Sequence, residues 1–199
     1  MTNGIVRNPV AVNVKSRRRP LDAALFLLFP PFTRSLTRAV FRMSPRSRLR
    51  QAFLSRYLRV GLEAVNRGDL EAAFAVYHPN AVANFAEGLV SLGFDTAYMT
   101  REDRVAAERS WRAGWSEFRY EPEELTDLGD GRLLVFGRMR GRGGASGAVF
   151  DNEWSMILTI SGGYVTHEQV FLDRAEALEA AGLSELTGAT AESEGGIDR

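Results

Sequence analysis

The stretch AVFDNEWSMILTISGGYVTHEQVFLD, residues 148–173, decides the fold class. Its apolar residues recur at every second position on both sides of SGG (161–163), which is the pattern of two β-strands joined by a tight turn. The same period of two begins near residue 120 and is interrupted by GDG and GGASG, which are further turn signals. The sequence therefore predicts four consecutive strands, at 120–130, 131–143, 148–160 and 164–173.

Helical patterns precede these strands. Apolar residues spaced three and four apart predict helices over 33–43, 47–66, 70–77 and 100–122, and a last short helix follows the strands at 174–183. Helices followed by an antiparallel meander predict an α+β fold, in which a curved antiparallel sheet packs on three N-terminal helices. A basic, partly helical extension precedes that unit.

Two residues are predicted to cap helices. Thr100 stands before a first turn that contains Glu102 and Asp103, and Asp69 follows Gly68 at the start of LEAAFAVY. The helix after Thr100 is expected to carry a stripe of large side chains, formed by Ala107, Trp111, Trp115 and Phe118.

Charge divides the chain into unequal parts. Residues 1–60 contain thirteen Lys and Arg and a single acid, whereas residues 61–199 contain twelve basic and twenty-four acidic residues. We interpret residues 1–50 as the basic extension, 51–183 as the folded domain and 184–199 as an acidic, disordered tail.

Composition excludes several kinds of site. The chain has no cysteine, so disulfides and thiolate metal sites are excluded, and its two histidines, His78 and His167, argue against a structural zinc site. We predict no cofactor. The apolar run at 21–32 is too short to span a bilayer, and no small-residue cleavage site follows it, so we expect a cytoplasmic protein.

The basic extension admits more than one partner. Residues 20–60 combine an apolar segment with regularly spaced arginines, which suits an anionic membrane surface. The alternative is that these helices dock on the acidic part of the same chain or of a dimer partner. A nucleic acid is not expected, because stacking aromatics are few and no nucleic-acid motif is present.

The turn at SGG determines which side chains share a face. If Gly162 and Gly163 form a two-residue turn, Ser161 pairs with Tyr164 and His167 falls opposite Leu158. The face toward the helices then carries Asn152, Trp154, Met156, Leu158, Ile160, Val165, His167, Gln169, Phe171 and Asp173, and the other face is mostly polar. Polar groups among apolar ones on an inner face indicate a hydrated or ligand-filled cavity, provided that the register does not slip.

Several segments together resemble the SnoaL-like branch of the nuclear transport factor 2-like (NTF2-like) superfamily. They are NRGDLEAAFAVYHPNAV (66–82), SGAVFDNEWSMILTI (146–160), GGYVTHEQVFLD (162–173) and DRAEALEAAGL (173–183), and the resemblance covers roughly residues 55–183. It implies a cone with a pocket at its wide end and frequent homodimers. The aromatic side chains expected in this pocket suit a small apolar ligand. Relatives include ketosteroid isomerases, polyketide cyclases, epoxide hydrolases, dehydratases and proteins that only bind, so the fold alone does not decide the function.

The predicted pocket has a defined set of residues. Its lining is expected to comprise Tyr77, Asn84, Trp111, Trp115, Phe136, Arg138, Asn152, Trp154, Met156, Gln169 and Phe171. Similarity to a SnoaL-type cyclase makes His167 the candidate acid–base residue, with Asp173 as its carboxylate. The alternatives are a structurally bonded His167 and an Asp173 that caps the last helix.

Two classes of function therefore stay open. The first is a small-molecule pocket protein that binds an apolar ligand and carries out acid–base chemistry of an isomerase, cyclase or hydrolase type. The second is a non-catalytic scaffold, or a protein that docks on membranes or partners through its basic helices. An incomplete set of acid–base residues leaves the question of catalysis undecided.

Overall fold

A seven-stranded sheet and six helices make up the residues that the structure, a computed structural model, describes, which are 9–13 and 30–183. In chain order they are β1 (Val10–Val12), α1 (Pro30–Phe41), α2 (Arg48–Arg67), α3 (Leu70–Phe74), β2 (Tyr77–Phe85), α4 (Glu87–Val90), β3 (Ala97–Tyr98), α5 (Arg101–Ala113), β4 (Trp115–Asp127), β5 (Arg132–Gly143), β6 (Val149–Ser161), β7 (Tyr164–Phe171) and α6 (Arg174–Ala181). The tail predicted to be disordered lies outside the described residues.

The sheet is mixed and open. Its strand order is β1-β4-β5-β6-β7-β2-β3, and every pair is antiparallel except β2 with β7. Register shifts in β2, β4 and β7 introduce bulges, which bend strands and increase twist. The prediction of an α+β fold with a curved sheet is confirmed.

The turn between β6 and β7 forms as the sequence predicts. Gly162 and Gly163 both have positive φ angles, 60° and 86°, and Ser161 pairs with Tyr164. Two consecutive positive φ angles favour glycine at both positions. A Cβ atom on Gly163 would also lie only 2.3 Å from the carbonyl oxygen of Arg34 in α1, so the backbone of α1 packs directly on this turn.

The predicted register holds for the first two pairs beyond this turn and is wrong after them. Ile160 pairs with Val165, but Thr159 pairs with His167, so Thr166 is an extra residue in β7. Such a bulge shifts all later residues of the strand by one position relative to the partner. Leu158 therefore lies opposite Glu168 instead of His167.

The helix predicted to reach Pro122 is shorter in the structure. It ends at Ala113, and Trp115 already pairs with Gly143 across the β4–β5 ladder. Trp115 and Phe118 are thus strand residues. The long ladder with β5 decides the conformation here, because tertiary context overrides a helical spacing of apolar residues.

Part of the basic extension is a strand, which was not predicted from the sequence. Val10, Ala11 and Val12 pair with Asp127, Thr126 and Leu125 at the edge of the sheet. Val12 is buried in the main core. A three-residue strand gives little signal in sequence, since its order comes from the long neighbouring strand with which it pairs.

Both faces of the sheet are apolar. The inner face packs on α2, α3 and α5 and forms the larger core, with Leu133, Val135, Trp154 and Leu158 among its buried residues. The outer face was expected to be mostly polar, but α6 covers part of it. A second core forms there from Leu128, Leu134, Phe136, Ile157, Ala177, Ala181 and Leu183.

The extension is attached to the domain through arginines. Arg38 donates to the carbonyl oxygen of Gly162, and the guanidinium of Arg34 lies 4.8 Å from the ring centre of Tyr164. Arg50 forms a buried ion pair with Asp127. These contacts fit the interpretation that the basic helices dock on the same chain. Among the helices in the described ranges, none has the length and apolar character needed to cross a membrane.

Candidate functional site

The main cavity lies between the inner face of the sheet and helices α2, α3 and α5. Its volume is about 90 Å³, and apolar and aromatic side chains form most of its wall. Gly61 and Leu62 of α2 line the cavity and are half-buried, as are Val76 and Tyr120. The polar side chains of the wall are those of Tyr57, Tyr77, Arg104, Glu108, Tyr120, Trp154 and Glu168.

Two elements bring the charged residues into this wall. Arg104 and Glu108 are one turn apart on the buried face of α5, whose start is capped by the side chain of Thr100, as predicted. Glu168 comes from β7, where the bulge at Thr166 turns it inward. A charged face on α5 and an irregular strand thus meet inside the core.

The charged residues form a buried cluster. Arg104 Nε lies 3.1 Å from Glu168 Oε2, and Arg104 Nη2 lies 3.4 Å from Glu168 Oε1. Arg104 Nη1 lies 3.1 Å from Glu108 Oε2. Glu168 therefore receives two contacts from the guanidinium and Glu108 receives one. Burial alone would lower the pKa of Arg104, but the carboxylates of Glu168 and Glu108 outweigh it and raise that pKa.

Aromatic side chains complete the surroundings of this cluster. The guanidinium of Arg104 lies 5.0 Å from the ring centre of Phe74 and 5.3 Å from that of Phe85, within the range of cation–π interactions. The Tyr120 hydroxyl donates to Glu108 Oε2 at 3.1 Å.

Three tyrosines of the wall are strongly perturbed. Burial raises the pKa of Tyr57, and burial followed by the nearby carboxylate of Glu168 raises the pKa of Tyr77 well above its usual value. Burial and then Glu108 do the same to the pKa of Tyr120. At neutral pH all three phenols keep their protons and are therefore able to donate a hydrogen bond.

Three lining residues carry a buried polar atom without a partner. These atoms are Glu108 Oε1, the Tyr57 hydroxyl and Trp154 Nε1, which have no hydrogen bond within the part of the chain that the structure describes. Leaving a buried polar group unpaired costs about 1–3 kcal/mol. The three comprise one acceptor and two donors, so a ligand with both kinds of group could satisfy them.

The charges and hydrogen bonds of the buried cluster distinguish Glu108 from Glu168. With both carboxylates ionised, one guanidinium and two carboxylates carry one net negative charge. Glu168 takes the greater share of Arg104, while Glu108 has one bond from Arg104, one from Tyr120 and a free oxygen. Glu108 is consequently the carboxylate of the cluster that has an oxygen free to accept a hydrogen bond from a ligand.

The structure places only three predicted pocket residues in this cavity. Trp154 and Met156 line it because the alternation within β6 follows the expected pattern. Tyr77, predicted as the last residue of a helix, lines it from the first position of β2. The other eight predicted lining residues lie outside the cavity, and their positions are described below. They are Asn84, Trp111, Trp115, Phe136, Arg138, Asn152, Gln169 and Phe171.

His167, Gln169 and Asn84 belong to the opposite face. The bulge at Thr166 sends His167 and Gln169 outward, and a ring nitrogen of His167 hydrogen-bonds to Asn84 Oδ1 from the neighbouring strand. His167 is half-buried there and outside the cavity wall. This geometry corresponds to the structurally bonded alternative for His167.

Asp173 begins α6. Its Oδ1 accepts hydrogen bonds from the backbone nitrogens of Ala175 at 2.6 Å and Glu176 at 3.0 Å. The side chain is exposed and outside the cavity, which matches the helix-cap alternative.

Four further predicted residues lie on strands of the sheet but outside the cavity. Phe136 and Phe171 pack in the outer core beside α6. Arg138 lies on that face as well and pairs with Asp151 at 2.8 Å, which lowers the pKa of Asp151. Asn152 has the parity of the inner face but lies near the strand end, where it is exposed.

Trp111 and Trp115 line a different depression. Their rings are 5.1 Å apart between centres, and together with Phe94 and the exposed Met99 they border a surface groove beside α5. Phe94 lines both this groove and the main cavity.

Sequence reasoning missed five of the seven polar residues of the wall: Tyr57, Arg104, Glu108, Tyr120 and Glu168. The available signal was the spacing of Arg104, Glu108 and Trp111, which places two charges on the same helical face as a large aromatic. Within the described ranges, no cluster of three or more acidic or histidine side chains has the arrangement of a metal site.

The chain belongs to the SnoaL-like domain family, whose pattern matches residues 58–168. This is the family that the segments around 66–82 and 146–183 resembled, and the resemblance is confirmed. No curated protein matches the chain significantly.

Solved structures agree on the NTF2-like fold. An NTF2-like protein of unknown function from Burkholderia pseudomallei is 21% identical with a TM-score of 0.53, covering 62% of this chain and 93% of its own. A provisionally assigned SnoaL-like polyketide cyclase from Jannaschia is 17% identical with a TM-score of 0.51, covering 64% and 90%. A hypothetical protein with a ketosteroid isomerase-like fold from Catenulispora acidiphila, in complex with trimethylamine, is 13% identical with a TM-score of 0.51, covering 64% of this chain and 92% of its own.

Proposed function

We propose that this protein binds a small, mostly apolar molecule in the main cavity and that Glu108 contacts the polar end of that molecule. The observation that carries this proposal is the set of unpartnered polar atoms on Glu108, Tyr57 and Trp154 in a wall formed mostly by apolar and aromatic side chains. Apolar pockets with a few convergent polar groups are typical ligand sites.

The cavity volume limits what can be enclosed. About 90 Å³ is less than the roughly 150 Å³ of an engineered cavity that holds benzene. A ligand of more than a few heavy atoms must therefore extend past the half-buried rim at Gly61 and Leu62, or the wall must move. We expect a compact polar head inside and an apolar remainder toward the rim.

We further propose that the site transfers protons to and from a carbonyl compound. In this scheme a proton leaves the carbon next to the carbonyl and goes to Glu108 Oε1, while the carbonyl oxygen accepts from Tyr57 or Trp154. Returning the proton to another carbon gives an isomerase. Attack of the resulting carbanion on a second carbonyl carbon of the same molecule, whose oxygen then takes the proton from Glu108, gives a cyclase. Arg104 and Tyr120 position Glu108 in either case.

Binding is tested by NMR with a small ketone. The chain has three tryptophans and thus three indole N–H signals, and the Trp154→Phe variant assigns the one in the cavity. Adding cyclohexanone should shift the Trp154 signal and leave those of Trp111 and Trp115 in place. Shifts of the other two signals alone would overturn the proposed site.

A matched pair of rim variants serves as the control. A Cβ atom at Gly61 meets no atom within 4 Å, so Gly61→Ala should fold and bind, whereas Gly61→Leu should obstruct the rim and abolish the shift. Equal binding by both variants would contradict a cavity entered past Gly61.

Proton transfer is tested by isotope exchange. In D₂O, mass spectrometry should detect protein-dependent incorporation of deuterium next to the carbonyl of cyclohexanone, and Glu108→Gln should remove it while the Trp154 shift persists. Binding without exchange in the unmodified protein would leave a ligand-binding protein and exclude the acid–base proposal for this class of ketone.

A further inference from the structure

An exposed, arginine-rich surface surrounds the junction of α1 and α2. Residues 30–60 contain eight arginines and no acidic residue. We define the arginine surface by Phe32, Arg38, Arg42, Arg46, Arg48 and Leu49, all of which are exposed. This surface is unrelated to the cavity residues described above.

The junction holds these side chains close together. Arg50 Nη1 donates to the carbonyl oxygens of Phe41 at 3.0 Å and Met43 at 2.8 Å, which fixes the end of α1 against the first turn of α2. Arg42, Arg46 and Arg48 are the charged residues of that short connection. Their positive charges are therefore concentrated in one place by the fold.

These charges are not neutralised by neighbours. Within the described ranges, Arg42, Arg46 and Arg48 form no ion pair, in contrast to the fully buried pair of Arg50 with Asp127. Uncompensated surface charge of one sign attracts a partner of the opposite sign. Arginine in particular presents a fork of donors that matches phosphate.

Exposed apolar side chains accompany the arginines. Phe32 is 54% exposed and Leu49 is 62% exposed, and both belong to the arginine surface. In the sequence, KSRRR (15–19) and LDAALFLLF (21–29) come directly before α1, and they add four more basic residues and an apolar run. Basic residues mixed with large apolar ones are typical of proteins that lie on a membrane surface.

We propose that the arginine surface binds an anionic phospholipid bilayer, with Arg42, Arg46 and Arg48 on the phosphates and Phe32 and Leu49 in the interface. Exposed Phe32 and Leu49 favour a lipid over a nucleic acid, because apolar side chains gain free energy by leaving water for the acyl region. Base recognition would instead require aromatic platforms among the arginines.

The bilayer contact has a consequence for the cavity. Arg48 and Gly61 lie on the same helix, α2, and thirteen residues of helix span about 20 Å. Docking through the arginine surface places the rim of the cavity within this distance of the bilayer, where apolar molecules concentrate.

The test is co-sedimentation of the full-length protein with vesicles. We expect binding to phosphatidylcholine vesicles that contain phosphatidylglycerol, weakening as salt is raised, and little binding to phosphatidylcholine alone. The Arg42→Gln/Arg46→Gln/Arg48→Gln variant should bind about 100-fold more weakly, since each basic residue near an anionic surface contributes about fivefold.

The matched control removes three exposed arginines from elsewhere, Arg109→Gln/Arg119→Gln/Arg142→Gln, and should retain binding. Equal loss in both triple variants would show a net-charge effect and overturn the proposal, as would equal binding to neutral vesicles or no binding. Binding to single-stranded RNA without binding to vesicles would also overturn it, in favour of a nucleic acid. Melting curves verify that the variants fold. If one of the variants does not fold, the weakening of vesicle binding with rising salt, measured on the unmodified protein, still tests the proposal.

Discussion

Arg50 and Asp127 form a buried, two-point ion pair between the start of α2 and the end of β4. Arg50 Nε lies 2.6 Å from Asp127 Oδ2, and Arg50 Nη2 lies 2.9 Å from Asp127 Oδ1. The two side chains are 2% and 0% exposed. Asp127 Oδ1 also accepts from the backbone nitrogen of Gly129, and Arg50 holds the end of α1. A single pair thus connects the basic extension, the second helix and the sheet.

Removing Asp127 should destabilise the protein strongly. The Asp127→Ala variant leaves a buried guanidinium without its counter-ion, which costs about 3–5 kcal/mol of unfolding free energy. Urea denaturation measures this. The exposed pair of Arg174 with Glu124 is the control, because Glu124→Ala should cost about 0–1 kcal/mol despite a similar distance of 2.7 Å. Similar costs for both variants would contradict the assigned importance of burial.

His167 and Glu168 are adjacent in sequence but should differ in effect. Glu168→Gln removes the main ionic partner of Arg104 inside the cavity, so we expect a loss of about 3 kcal/mol or more and altered cyclohexanone binding. His167→Ala breaks only the bond with Asn84 on the outer face, so the Trp154 signal should still respond to the ketone. Loss of that response in His167→Ala with an intact fold would restore the histidine as a pocket residue.

Alkaline pH should unfold the protein through its buried phenols. The pKa values of Tyr57, Tyr77 and Tyr120 are raised in the folded state, chiefly by burial. Below the unfolded pKa of about 10 the phenols are protonated in both states, and their contribution to stability is fully present. Above it only the unfolded chain loses these protons, so the free energy of unfolding falls as pH rises toward the folded pKa values.

Absorbance at 295 nm, which reports phenolate, measures this effect. Three of the five tyrosines should stay protonated in the native protein until it unfolds, and circular dichroism should change together with their ionisation. Gradual ionisation of all five tyrosines with unchanged circular dichroism would contradict the burial of the three phenols.

The features that the sequence predicts correctly are those that depend on a single segment of the chain. Alternation in β6 identifies Trp154, Met156 and Leu158 as inner residues, because the face of a side chain within a regular strand follows from its parity. The tight turn at Gly162 and Gly163 also follows from local chemistry, since both positions need a positive φ.

Features that depend on how two distant segments pair or contact each other could not be predicted from the pattern of either segment alone. Thr166 looks like any strand residue, yet its insertion reverses the faces of His167 and Glu168 and so exchanges a histidine for a carboxylate in the cavity. The buried positions of Arg104 and Glu108 were missed for a related reason. Charged residues are predicted to be exposed unless partners are known, and Glu168, the main partner of Arg104, lies 64 residues away in sequence.

Two aspartates that look alike as helix caps should also differ. Asp173 accepts from the backbone nitrogens of Ala175 and Glu176 in the first turn of α6, whereas Asp69 makes no side-chain capping bond at the start of α3. We expect Asp173→Ala to cost about 1 kcal/mol, and Asp69→Ala a few tenths, in the free energy of unfolding. The cap matters for more than α6 itself, because Ala177 and Ala181 of that helix are fully buried against the outer face of the sheet. Urea denaturation of the two variants provides the comparison, with Asp173→Ser as the conservative replacement that should regain most of the loss. A cost at Asp69 equal to that at Asp173, or no recovery with serine, would show that capping is not what Asp173 contributes.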